Sequence, residues 1–510
     1  MKNYLYLLSA LVFSLLVASC SKDSDDPVPT PDPEPDTVAS IYTVSATGAT
    51  YTFDTTTSTF TLTMPTVTDF SQVNLYFTTS GGKVYLNDKE VTSGSNQTDL
   101  SNPITLKIVN GTASASYTVK ARNTGLPVVS ITTPNSQSIT SKEDWMEGAT
   151  IKINKVDGTV DYEGSMSIRG RGNSTWNYPK KPYALKLEKK GSLLDMPKHK
   201  RWVLLANWKD RTLLRNDAAF WLSKHSGLPY TVRGEFVELV LNGKHQGNYY
   251  LCEQIKIDEN RVNVTEMDAN ETDPEKVTGG FLLELDTYYD EVNKFTSSKF
   301  NLPYQFKQPD ETELSSAAQE YLMNYVEDLE TLLKDNTRVQ NHEYEAYFDV
   351  DTAIDYMLVE ELTNNTDFYS TWPWNGPHSV YFYKDRGGKL CSGPVWDFDY
   401  HAFVPDYSYY WAGATRTLYY PALLKDEKFR SRMIERWEQQ RDTFYKLNEY
   451  IDEMAEKLAV SDEVNIKMWP IDNSENGDEK MSFSSAIARM KEGFQKKWNW
   501  MNTNIYTLSM

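Results

Sequence analysis

The sequence predicts an α+β protein: a small all-β sandwich followed by a larger domain with a sheet-rich front and a helical rear. Two patterns predict it. Between about Thr37 and Ala121, Thr, Ser, Val and Tyr alternate at period two, as in YTFDTTTSTFTLTMP and ITLKIVNGTASASYTVKA, with Gly and Asn turns at short intervals. From Leu126 on, apolar strand-like runs come first and amphipathic helical runs follow. Composition sets the bounds: 510 residues can bury more than one core, and 13% aromatic residues, with 33 Tyr and 13 Trp, belong to folded protein.

Two segments ahead of these units build no core. Residues 1–20 have a charged start at Lys2, an apolar run from Tyr4 to Ala18, and then Val17-Ala18-Ser19-Cys20. The run is short for a bilayer span and reads as a signal peptide. Small residues directly before a cysteine resemble the bacterial lipobox, at which cleavage leaves Cys20 as a lipidated N-terminus. Residues 21–36, SKDSDDPVPTPDPEPD, are acidic and Pro-rich and predict an extended tether. The expected location is the bacterial cell envelope, lipid-anchored at the outer membrane, facing either the periplasm or outward.

A net charge of −19, from 71 Asp+Glu against 52 Lys+Arg, speaks against nucleic acid or anionic membrane as a general partner. Beyond Cys20 only Cys252 and Cys391 remain, each in an apolar strand-like run, as one disulfide or as two buried free thiols. Six scattered His show no zinc spacing.

The sandwich is expected over 37–125, as a spacer or a ligand-binding module, and the larger domain over 126–505. Strands are predicted at 149–155, 162–169, 183–187, 202–205, 235–241 and 248–253. Helices are predicted at 212–225, with Leu213, Leu214, Ala218, Trp221 and Leu222 on one face, and at 313–334. Asp349 or Asp351 caps a further helix through Leu362. The tail from Lys425 is amphipathic helix, broken near Trp469-Pro470.

Several groups of residues carry chemistry. In this acidic chain, Arg169, Arg171, Lys180, Lys181 and Lys186 form a cationic run suited to an anion. Gly170-Arg171-Gly172 lets backbone approach a polyphosphate while Arg169 or Arg171 clamps it, although a plain turn reads the same. Lys186, between Leu185 and Leu187, either reaches phosphate or faces water. Glu253 and Glu284 are lone carboxylates in apolar strands and need partners. In Trp396-Asp397-Phe398-Asp399, a strand would turn both carboxylates to one side, where a metal ion relieves their repulsion; the other reading is a turn with two solvated aspartates. Arg215 in LLRN ties its helix to a carboxylate. The aromatic runs Trp372-Pro373-Trp374 and Tyr407–Trp411 are suited to stacking on sugars or a peptide. Trp202, Trp208 and Trp221 read as ordinary core.

RGRGNSTW, PKKPYALKL, LLDMPKHKRWVLLANW, LLRN, FVELVLNGKHQGNYYLCEQIKI, GGFLLELD and PVWDFD, in that order, resemble the CotH family of spore-coat-type, atypical protein-kinase-like proteins. The resemblance covers roughly residues 126 to 505. It implies a two-lobed kinase-like fold that binds ATP with Mg or Mn and phosphorylates Ser or Thr of a protein acceptor. It further implies Lys186 as the nucleotide lysine, paired with Glu253; a metal at Asp397 or Asp399; and Asp367, in NNTDFYS, as the residue that takes the acceptor's proton. One position departs. Many relatives carry Asn before a Tyr-Leu-Tyr-like strand, where this chain has His378-Ser379. Hydroxyl is a poorer magnesium ligand than an amide carbonyl and imidazole prefers softer metals, which leaves a second metal open. The alternative function is a surface-binding module for carbohydrate or protein on the same fold, without catalysis.

Overall fold

The computed structural model describes residues 38–65, 68–369, 376–405, 411, 416–472 and 475–508. Cys20 and the tether therefore lie outside the described residues. The alternating N-terminal stretch forms two sheets. One is ordered β1 (Ile41–Ala46), β4 (Val73–Thr79), β7 (Gln97–Thr98). The other is ordered β2 (Thr50–Asp54), β3 (Thr59–Met64), β9 (Ala113–Asn123), β8 (Ile104–Asn110), β5 (Lys83–Leu86), β6 (Lys89–Val91). Between them Val44, Phe60, Leu62, Leu75, Leu106 and Val119 are buried, as the alternation requires. One pair, β3 and β9, runs parallel. No hairpin joins these two strands, so nothing local imposes the antiparallel sense. The sandwich meets the larger domain through an Arg122–Glu463 ion pair of 2.6 Å and a Lys467 Nζ bond to the Tyr51 carbonyl.

The sheet-rich front is a closed barrel. Its seven strands are ordered β10 (Val128–Thr132), β11 (Met146–Asn154), β12 (Val160–Gly170), β13 (Tyr183–Gly191), β14 (His199–Leu205), β16 (Lys244–Glu253) and β15 (Gly234–Leu241), with β10 and β15 closing it in parallel. All six strands predicted for this region fall here. Closure removes the sheet edges that an open front lobe would expose. Alternation turns Ile151, Ile168, Leu185, Leu187, Trp202, Leu204 and Leu251 into the barrel core. The residues between them, Arg169, Lys186 and Arg201 included, stand outside.

In the rear part, strands and helices interleave. A five-stranded sheet runs β18 (Lys294–Thr296), β19 (Pro303–Gln308), β17 (Phe281–Leu285), β20 (Val380–Lys384), β21 (Leu390–Ser392). Its last two strands arrive only after α2 (Ser316–Lys334), α3 (Asn336–Gln340), α4 (Val350–Thr363) and α5 (Thr366–Tyr369). Helix α1 (Arg215–Lys224) precedes all of these, and α6 (Tyr420–Leu423), α7 (Glu427–Tyr445), α8 (Leu447–Met468) and α9 (Phe483–Asn504) close the chain. Of the two cap candidates, Asp349 accepts the Thr352 N–H at 2.8 Å, whereas Asp351 pairs with Arg432 and Arg436. Helix α8 ends at Met468, directly before Trp469-Pro470. Cys252 and Cys391 are both free thiols, so the disulfide alternative is excluded.

Candidate active site

A cleft of about 410 Å³ opens between the barrel and the rear part. The β12–β13 connection brings Arg171 and Ser174 to it, and the β14–α1 connection brings Asn207, Trp208 and Lys209. From the rear come Glu284 and Asp286 at the end of β17, Lys307 of β19, Asp367 of α5, His378-Ser379 before β20, and Asp397 and Asp399.

These five carboxylates share the cleft with Asp290, Glu291 and Glu475. Asp286 accepts the Ser379 N–H at 3.1 Å and pairs with His378 Nδ1 at 3.1 Å. Ser379 Oγ in turn donates to Asp397 Oδ2 at 3.2 Å. Asn365, buried behind the cleft, bridges the two sequence regions: its Oδ1 accepts the Asp367 N–H at 3.1 Å, and its Nδ2 donates to Glu360 Oε2 and to the Asp397 carbonyl. Burial, then Asp397, Asp399 and Asp286, drive the Asp367 carboxyl well above its ordinary range. Burial, with Asp397 and Asp210 beside it, lifts Asp399 to about 8. Burial also raises Asp397, against the pull of the Arg171 guanidinium. Carboxyls that hold their protons because they crowd one another are groups that a divalent cation would ionise. The donors are all oxygen, which suits a hard ion such as Mg or Mn and not a soft one.

The WDFD motif reaches the cleft without forming a strand. Asp397 has φ +69°, and the Phe398 N–H bonds the Asn216 side chain of α1 instead of a sheet neighbour. The two carboxylates converge through this turn, and Phe398 is buried among the core aromatics.

Several sequence candidates lie elsewhere. Lys186 is exposed on the outer face of β13, opposite Arg201, and Arg169 stands on the same face with its guanidinium bonded to the Glu143 carbonyl. Neither lines the cleft, because the neighbouring Ile168, Leu185 and Leu187 claim the inner face. Glu253 is fully buried at the barrel end, where Arg233 at 2.9 Å, Arg261 at 3.6 Å and Tyr230 satisfy it; the expected pairing with Lys186 is not formed. Glu284 does line the cleft, paired with Lys307 at 3.0 Å. Burial alone would push the Lys307 ammonium down, but Glu284 and Glu291 outweigh it and hold it above its usual range. Trp372-Pro373-Trp374 and residues 407–410 lie outside the described residues, while Trp411 is buried against Trp500 at 5.0 Å.

Asp286 and Lys307 were missed. Asp286 stands two residues after Glu284 in LLELD, so period two already placed both carboxylates on one face. Lys307 falls in YQFKQ, whose Gln305 pairs with Glu284, and that pairing is invisible without the sheet order. Trp208, read as core, is half-buried at the cleft wall with its ring 5.1 Å from Tyr178. Arg215 is fully buried, bonded to Asp210 and Asp478 and to the Ala402 carbonyl.

Glu360, behind the cleft, is pushed up to about 8 by burial. A carboxyl raised on folding binds a proton that the unfolded chain releases. Stability therefore falls as pH rises from about 4.5 towards 8 and levels off above that. Glu360→Gln keeps the acceptor for Asn365 and is expected to flatten this slope in urea unfolding measured across that range.

No curated protein matches the chain. Among solved structures, the crystal structure of a putative glycoside hydrolase from Bacteroides thetaiotaomicron aligns at 17% identity, over 34% of this chain and 52% of that one, with a TM-score of 0.15. The match spans only about half of that structure, and a score this low carries no argument. The model of the CotH kinase protein family matches residues 168–501, nearly two thirds of the sequence, from the barrel through the cleft to the last helix. The protein belongs to the CotH kinase protein family.

Proposed function

We propose that the protein is a lipid-anchored envelope phosphotransferase, transferring phosphate from ATP to a Ser or Thr hydroxyl of a protein acceptor in a reaction that needs Mg or Mn. The observation that carries this reading is the convergence of Asp286, Asp367, Asp397 and Asp399 on one cleft walled by Arg171 and Lys307. Asp397 and Asp399, with Asp286 beside them, are the carboxylates to hold a divalent ion, which when bound neutralises phosphate charge. Arg171, whose guanidinium lies 5.4 Å from the Trp396 ring, is placed to contact phosphate oxygens. Gly172, at φ +86°, makes the tight turn beside it: a Cβ there would meet Thr175 Oγ1 at 2.0 Å. Lys307 takes the nucleotide role first given to Lys186. Asp367, in its ionised form, orients the acceptor hydroxyl and takes its proton.

Anchoring through Cys20 would hold this domain at the bacterial outer membrane, with the lipid as its membrane contact. Asp367→Asn is expected to lower phosphate incorporation into envelope proteins by about 10²–10⁴-fold while ATP affinity stays unchanged. Undiminished incorporation would remove Asp367 from the mechanism.

A further inference from the structure

Two cations that the sequence singled out and the cleft does not use, Arg169 and Lys186, stand on the outer face of the barrel, while Lys181 is held by the Trp176 carbonyl. Arg169, Lys186 and Arg201 share that face on adjacent strands, with Lys186 directly opposite Arg201 and Ser167 directly opposite Lys186. Both guanidinia pack on Trp145, that of Arg169 at 4.7 Å and that of Arg201 at 4.9 Å from the ring centre. Lys256, just beyond β16, comes two residues after Gln254, whose carbonyl shares the Arg261 guanidinium with the carbonyl of Arg201. Among the described residues none of these four forms an ion pair, although the chain carries 71 acidic side chains. Burial, and then Arg201 and Lys307, push the Lys256 ammonium down to about 8; Asp310 and Glu291 oppose this without overcoming it. Burial and then Arg169 likewise lower Arg201, with only Asp310 opposing.

Like charges gathered on a rigid face and not held in ion pairs cost stability. Such an arrangement persists where an outside anion completes it. Guanidinia suit carboxylate or phosphate oxygens, and both of these pack on the Trp145 ring. The Ile257 N–H, next to Lys256, bonds the side chain of Gln308, next to the cleft-lining Lys307, at 2.6 Å, so the patch borders the cleft. The geometry points to Arg169, Lys186, Arg201 and Lys256 as a docking site for an acidic peptide segment held next to the cleft. That the segment belongs to the phosphoacceptor rests on the proposed phosphotransfer; the binding itself does not.

Calorimetric titration of a polyglutamate peptide into the full chain, with neither nucleotide nor divalent metal present, tests the site apart from the chemistry. A phosphoserine-rich peptide and vesicles of anionic lipid form parallel arms. Binding of either peptide at low ionic strength is expected to weaken with salt, and the stronger of the two identifies carboxylate or phosphate as the recognised group. Arg201→Gln with Lys256→Gln is expected to raise Kd at least about tenfold. Lys186→Gln, on the surface where folding is not at stake, should raise Kd less. Lys256→Gln should also raise Tm, which loss of a merely structural lysine would not do. Absence of peptide binding, binding indifferent to these substitutions, or binding to vesicles alone would overturn the assignment, whatever the fate of the kinase reading.

Discussion

Asp397→Asn is expected to abolish metal-dependent ATP binding and to cut phosphotransfer by at least about 10³-fold. In chelator, the same substitution is expected to raise Tm. The two effects have one origin. Burial raises both Asp397 and Asp399, and the nearby Asp397 charge adds to the rise of Asp399 to about 8. Replacing one of them with a neutral amide removes the repulsion that the metal-free protein bears, and with it the charge that would hold the ion. The amide still accepts from Ser379 Oγ, so local geometry survives. Thermal scans with and without Mg should therefore cross: wild type gains stability on adding metal, and the variant does not. Equal gains in both proteins would place the ion elsewhere.

The second large effect is structural. Arg215 sits at the start of α1 with its guanidinium shared between Asp210 and Asp478 and its Nε bonded to the Ala402 carbonyl at 2.9 Å. It ties the β14–α1 connection to the segment after WDFD and to the connection before α9. Arg215→Met leaves two buried carboxylates without their cation, an arrangement that costs about 3–5 kcal/mol. Urea unfolding should show the midpoint falling accordingly. Restoring a neutral pocket with Asp210→Asn and Asp478→Asn in the same chain should recover part of the loss, because the cost lies in the uncompensated charges.

Local pattern made much of the fold legible. Period two located six of the seven barrel strands, all but β10, the Pro at 470 marked the helix break, and Asp349 was one of two named caps. What local pattern could not supply was pairing. Closure of the barrel depends on β10 meeting β15, more than a hundred residues later, and no turn signal encodes it. The parallel β3–β9 pair is of the same kind. In the candidate site, Glu284, Asp397 and Asp399 were reachable because their charges stand in apolar surroundings, Arg171 because it stands in a Gly-rich cationic run, and Asp367 only through the family resemblance. Lys186 went astray because an outward-facing strand lysine and a cleft lysine have the same sequence appearance, and only the barrel core decides which face is inside. Lys307 was lost for the converse reason: its partner Glu284 is in a different strand, and the pair exists only once β17 and β19 are laid side by side.

The central claim, that the acidic cleft is a metal-dependent nucleotide site, is tested most directly by titrating ATP calorimetrically into the wild-type protein with Mg, with Mn and with chelator. Saturable binding with either metal, and none with chelator, is the predicted result. Failure to bind ATP under any of the three conditions, in protein shown to be folded by circular dichroism, would contradict it and leave the cleft to another ligand.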